Sequence, residues 1–362
     1  MKRIYSIDVF RALTMCLMIF VNDLFTLEQV PAWLLHTEMN EDGMGFSDII
    51  FPIFLVIVGM STPFALEKAS NKWLHILERS FALVLMGFLL VNYESMPRGE
   101  YRTYMGMLLV LAFFLLWSVG SKRWMQLVGW AAIGVFVWFY PGDLKPHWWG
   151  ILGLIGWSYF LSAAVFMFTQ KKVNLLLLCA GCFLMLSVAE HAGLLEGLAP
   201  IRKYIWIVES GALPFLCLLG VLSSVGYQPT KGYLVKLFLA GAGLVVLGFV
   251  LRPIGGISKI LATPAWVCIC GGIAYCTYAI IVYTVDIKEK RAWADIIRPA
   301  GTATLTCYLI PYFYYGLRSL TGIRLPEVLR TGYLGLLSTL ALSLLLIFLT
   351  GLVVKRGIRL KV

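Results

Sequence analysis

Apolar residues run in long stretches along this chain, broken by short polar clusters. A helix that crosses a bilayer needs roughly 20 mostly apolar residues. Against that length the pattern predicts segments near 7–27, 46–66, 74–93, 103–119, 123–140, 147–169, 174–190, 204–225, 233–251, 262–284, 299–317 and 332–354. Some are short or interrupted by glycine, so ten to twelve membrane helices are expected. No long polar insert separates them, and no internal repeat is visible. The pattern predicts an all-α, polytopic membrane helix bundle, a single integral-membrane domain over residues 1–362.

Composition strengthens this. The chain is 60% hydrophobic and 14% charged, where a soluble domain has about 45–50% apolar and about 25% charged residues. Lipid must replace water around most of it, and the bilayer is its first partner. The net charge of +11 would suggest nucleic acid in a soluble protein. No aromatic RNA-binding motif or basic tail accompanies it, so no nucleic-acid partner is expected. With the first residue in the cytoplasm and the segments alternating, roughly twice as many Lys and Arg fall on the cytoplasmic side. That puts both termini in the cytoplasm and favours an even number of helices; in a bacterial inner membrane the loop after the first helix would then be periplasmic. The start, "MKRIYSIDVFRALTMCLMIFVND", has the basic residues and apolar stretch of a signal peptide. Asp8 and Arg11 interrupt it and no cleavage site follows, so a retained first membrane helix is expected. All eight cysteines lie inside apolar runs. Cys179 and Cys182 form a C-x-x-C with no His, Asp or Lys nearby to activate a thiol, and are read as core residues. No metal is expected.

Ionisable groups inside membrane segments are costly and mark a site or a buried pair. Asp8 and Arg11, spaced i, i+3, can pair on one helix face. They are either a structural ion pair or a contact for an anionic cytosolic ligand. Asn22 and Asp23 lie about 21 Å further along the same helix, where they also fit a helix terminus entering the outer loop. That loop carries His36, followed by Glu38, Glu41, Asp42 and Asp48. Ser47 or Asp48 is expected to cap the second helix. A carboxylate beside an imidazole can also orient it for proton transfer. Two further polar concentrations are "LRPIGGISKILATPAW", residues 251–266, and a threonine-rich stretch expected to be one helix, with Thr302 and Thr306 on a shared face. Irregular backbone at membrane depth is tolerated where it lines a cavity.

"SIDVFRALTMCLMIFVND", a loop histidine, and then "GMGFSDIIFPIFLVIVGMS" together resemble the heparan-α-glucosaminide N-acetyltransferase family. "ISKILATPAW" and "VDIKEKRAWADIIRPAGTATLTCYL" resemble that family's C-terminal block. The resemblance implies a transmembrane acetyltransferase, with acetyl-CoA as co-substrate from the cytosol and an amino sugar or glycan as acceptor on the opposite side. It also implies a homodimer. It makes His36 the active histidine, with Asn22 and Asp48 as its catalytic partners and Asp8, Arg11 and Arg79 as cofactor contacts. Arg102, Lys259 and Thr302 become candidate substrate contacts, and the other acids of the loop are left as solvated charges. Two family features are missing. In "RTYMGMLLVLAFF" Arg102 and Gly106 remain without the family's Gln-Arg pair, and a later family asparagine falls on Ala303. The alternative reading is an inner-membrane transporter of a sugar or amino sugar, with aromatic pairs such as Trp148-Trp149 stacking on the ring.

Overall fold

The apolar runs fold as helices because, in lipid, only a helix satisfies each backbone N–H and C=O within its own segment. The computed structural model describes residues 4–323 and 325–361, and within these the side chains of Lys203, Val208 and Glu209 are not described. Lys2, Arg3 and Arg324, counted in the charge balance above, lie outside the described residues. The first half contains α1 (Tyr5–Asp23), α2 (Ser47–Lys68), α3 (Lys72–Ser95), α4 (Glu100–Trp117), α5 (Arg123–Trp138), α6 (Gly150–Thr169) and α7 (Val173–His191). The second contains α8 (Arg202–Ser210), α9 (Ala212–Val225), α10 (Lys231–Leu251), α11 (Pro264–Ile281), α12 (Arg298–Thr302), α13 (Thr304–Thr321) and α14 (Gly332–Lys355). Each predicted segment is helical. Ten spans among the described residues are long and apolar enough to cross a membrane. The 16-residue α5 is too short to count, and α13 is rich in Tyr and Thr.

α2 sits at the centre, packed on α1, α6, α9 and α11. Glycines set its spacing from α9. A Cβ on Gly59 would lie 1.8 Å from the Cys217 carbonyl oxygen, and one on Gly220 1.9 Å from that of Val56. Small residues allow such backbone contact between membrane helices. The periphery is formed by α7, α10 and α14, whose Leu, Val and Phe side chains are largely uncovered by protein. The fold thus has a tight central group carrying the polar residues and an outer ring suited to lipid.

Two predicted segments need correction: 204–225 divides into α8 and α9 at Gly211, whose φ is 65°. The threonine-rich stretch is not a single helix: it breaks at Ala303, with φ −131° and ψ 51°. Two contacts explain the break. Gly301 is pressed against α1, where a Cβ would lie 2.3 Å from the Asp8 carbonyl oxygen. The Gly301 carbonyl accepts from Arg11 Nη1 at 3.1 Å and from Thr304 Oγ1 at 3.4 Å.

Candidate active site

The loop between α1 and α2 folds back over the start of α2. Phe46 N–H donates to the Trp33 carbonyl at 2.8 Å, and Ser47 Oγ donates to the Leu34 carbonyl. The expected cap is corrected here, since Phe46 occupies the N-cap position and no side chain caps it. Asp48 does something else. Its Oδ2 accepts from Gly45 N–H (3.0 Å), Thr37 N–H (3.1 Å) and Thr37 Oγ1 (3.0 Å). Its Oδ1 lies 2.6 Å from His36 Nδ1. The Asp48 side chain is only 1% exposed, while that of His36 is 49% exposed. A fixed carboxylate at a helix N-terminus thus holds a half-exposed imidazole.

Gly45 makes this arrangement possible, because a Cβ there would lie 1.8 Å from the Leu35 carbonyl oxygen. Gly45→Ala must therefore push apart the loop segments that carry His36 and the N–H donor to Asp48. The expected result is a displaced His36 ring, read as changed imidazole signals in NMR, with the melting temperature of the bundle little altered.

Lys259 completes the site from the segment between α10 and α11. Its Nζ lies 3.0 Å from His36 Nδ1, 3.4 Å from Nε2 and 3.7 Å from Asp48 Oδ1. Burial pulls its pKa below that of an ordinary lysine, and the Asp48 charge partly offsets this. What brings Lys259 here is Asp42. Its Oδ1 accepts from Ile257 N–H at 2.7 Å and its Oδ2 from Arg252 Nε at 2.9 Å, while Gly43 N–H donates to the Ile257 carbonyl at 3.0 Å. The expectation that Asp42 is only a solvated loop charge is therefore corrected. In sequence it was one acid among several, and its partners lie more than 200 positions away.

The Asp42 carboxyl is held below the usual range by the Ile257 N–H and by Arg252. A depressed carboxylate stabilises the fold fully above its unfolded value, and that contribution is lost as pH falls through the folded value. Hydrogen exchange in residues 28–46 and 252–263, corrected for intrinsic rates, should therefore rise on acidification. In Asp42→Asn it should already be raised at neutral pH and change less on acidification.

Asn22 is exposed, and no hydrogen bond joins it to His36. Its neighbour Asp23 is the last residue of α1, as the reading of a helix terminus entering the loop expected, and its side chain is buried. Asp23 accepts from Tyr315 (2.7 Å), Thr339 (2.9 Å) and Thr26 (2.9 Å to its carbonyl, 3.3 Å to its carboxylate), tying α1 to α13 and α14. His191 is occupied structurally, with ring nitrogens 2.9 Å and 3.1 Å from the Ser187 and Leu261 carbonyls.

Cavities lie at both ends of the bundle. At the His36 end, one of about 670 Å³ is lined by Lys259, Trp148, Trp206, Trp266, Phe51 and Ile151. The Trp266 indole N–H is buried and has no partner among the described residues. At the other end, Asp8 and Arg11 pair at 3.3 Å, and Arg11 also donates to Ser61 Oγ. Two adjoining cavities of about 340 and 470 Å³ share Arg11, Ser61, Lys68, Thr302 and Arg359 in their walls. The larger adds Arg79 and Lys361, then continues past Met18, Phe54 and Tyr308. Met18 lies seven residues beyond Arg11, or about 10 Å along α1. Ile151 lines both this cavity and the tryptophan cavity.

Arg359 and Lys361 are site residues that sequence reasoning missed. The segment Ile358–Lys361 folds back along the end of α4. Val119 N–H donates to the Arg359 carbonyl (2.8 Å), Lys361 N–H to that of Trp117 (2.9 Å), and Leu360 N–H to Thr306 Oγ1 (2.9 Å). In sequence they were two more basic residues of a terminal cluster, and no local spacing signals this docking. The three predicted substrate contacts separate: Lys259 lies at His36, Thr302 in the basic cavity, and Arg102 in a third cavity described below.

Residues 3–121 match the family model described as heparan-alpha-glucosaminide N-acetyltransferase, catalytic. That stretch includes Asp8, Arg11, Asn22, His36, Asp48 and Arg79, and ends before Lys259 and Arg359. No curated protein matches the chain.

Proposed function

We propose that this chain, whose residues 3–121 belong to the heparan-α-glucosaminide N-acetyltransferase family, transfers acetyl from cytosolic acetyl-CoA to the amine of an amino sugar or glycan across a bacterial inner membrane. The observation that carries the reading is the pairing of two sites on α1 and α2. A His36–Asp48 dyad stands at one end and a basic cavity leading inward stands at the other.

The basic cavity suits the donor. Five cations, Arg11, Lys68, Arg79, Arg359 and Lys361, stand against one carboxylate, Asp8. Guanidinium groups match phosphate in geometry and charge. The apolar passage beyond them suits the thin chain that carries the thioester. The tryptophan cavity suits the acceptor, since sugar rings stack on indoles and the Trp266 N–H can meet a hydroxyl.

In the transfer step His36 Nδ1–H donates to Asp48, which leaves Nε2 as the base. Nε2 takes a proton from the acceptor amine as its nitrogen attacks the thioester carbonyl. The C–N bond forms and the C–S bond breaks. The imidazolium, stabilised by Asp48, returns the proton to the departing thiolate. Lys259, whose amine lies beside both ring nitrogens, disfavours a lasting imidazolium when protonated.

The test is transfer from radiolabelled acetyl-CoA to glucosamine-type acceptors in oriented vesicles. Product should form when donor and acceptor are on opposite faces. Sugar uptake without acetyl-CoA, and no acetylated product, would overturn the reading.

A further inference from the structure

A third cavity, of about 720 Å³, lies at the His36 end but shares no lining residue with the tryptophan cavity or the dyad. It is formed by the turn Leu24–Thr26, the start of α4, the end of α13 and the residues before α14. Four guanidinium groups line it, those of Arg98, Arg102, Arg318 and Arg330, and no carboxylate does. We infer that this cavity binds a phosphate group, a role separate from acetyl transfer and not dependent on that reading.

Two carboxylates stand behind the wall, Asp23 near enough for its charge to act on Arg318 and Glu94 on Arg102, and hydroxyl groups hold both. Asp23 accepts from Tyr315, Thr339 and Thr26. Glu94 accepts from Tyr312 at 3.1 Å. Glu28 reaches Arg330 Nη1 only at 3.9 Å, and Arg330 Nε is buried with no partner. Among the described residues none forms an ion pair with Arg98, Arg102 or Arg318. Each guanidinium offers five N–H donors in a fixed fork, and the bonds made here use few of the twenty.

Two of the four are held in place. Arg102 lies 5.2 Å from the Tyr93 ring centre and donates to the Met96 carbonyl at 3.2 Å. Arg330 is fixed through its backbone, whose carbonyl accepts from Glu28 N–H at 2.8 Å. The first turn of the 18-residue α4 adds Gly99 and Thr103 to the wall, so the positive helix end faces the same space. Phe25 and Ile323 line the cavity and are 75% and 66% exposed, giving it an apolar rim.

Phosphate at this position has two sources, an anionic lipid headgroup or a soluble phosphate ester, and the experiment separates them. The purified full chain is titrated in detergent with inorganic phosphate and pyrophosphate, followed by thermal melting. It is also placed in nanodiscs of phosphatidylcholine with or without phosphatidylglycerol, and retained lipid is counted by native mass spectrometry. Saturable stabilisation by the soluble ions identifies a soluble ester, and selective retention of phosphatidylglycerol identifies a headgroup. Arg98→Gln with Arg318→Gln should weaken whichever is bound by about tenfold or more, with the ligand-free melting temperature and a monodisperse elution profile unchanged as the check on folding. Should the double variant not fold, Arg98→Gln alone, at an exposed position, gives the same comparison. Binding of neither ligand, or equal binding by wild type and variant, overturns the proposal.

Discussion

Asp48→Asn is expected to lower the turnover of acetyl transfer by on the order of 10²–10⁴ and to leave the fold intact. The orientation of the new amide is dictated by its surroundings. Asp48 Oδ2 receives three donors, from Gly45 and twice from Thr37, and an NH₂ cannot replace it there. The amide oxygen must take that position, which turns the NH₂ toward His36 Nδ1, now at 2.6 Å from the carboxylate. Nδ1 then has to accept, the ring proton moves to Nε2, and the base facing the acceptor is lost. His36→Ala should lose a comparable factor by removing the base itself. In both variants coenzyme A binding, measured by calorimetry, should stay within about twofold, because the basic cavity lies at the other end of α1 and α2. Turnover of Asp48→Asn within threefold of wild type would show that the dyad does not set the proton's path. Asp48→Ala makes a contrasting comparison, since it orphans three donors and should destabilise the loop as well.

Much of the fold was legible because hydrophobicity and length decide it. Ten of the twelve predicted segments became single helices with limits differing by only a few residues, and 204–225 and 299–317 each became two. The break at Ala303 was not legible, because its causes are the approach of α1 at Gly301 and a hydrogen bond from Arg11, nearly 300 positions away. The site divides in the same way. His36 and Asp48 lie twelve positions apart among other acids, and it was the family resemblance, not spacing, that singled the two out. Asp8 and Arg11 share a helix face and could be paired at sight. Asp42 and Arg359 act through partners on distant segments, and residue type alone gave them no distinction. Asn22 shows the converse risk. It was chosen by the resemblance alone; it is exposed, and the buried and bonded residue beside it is Asp23.

The second large effect is expected at the opposite end, and it should fall on a different kinetic constant. Arg11→Gln combined with Arg359→Gln should raise KM for acetyl-CoA by on the order of 10²-fold, since a charge-assisted hydrogen bond contributes about 1.5–3 kcal/mol. Turnover at saturating donor should hardly change, because neither side chain reaches the His36 end. Arg359 suits the test because the segment Ile358–Lys361 is anchored mainly through its backbone and through buried Leu360. Removing the guanidinium therefore leaves the segment docked, at the cost of one bond to the Thr302 carbonyl. Arg11 carries more risk, since it also holds Gly301, Ser61 and Asp8. Lys at that position should recover much of the affinity if charge is what matters, and little if the planar fork is needed. Added salt should raise the wild-type KM as well, and more weakly in the double variant, because screening acts on charges that are still present. A fall in turnover with unchanged KM would mean that these arginines support the bundle rather than receive the donor's phosphates.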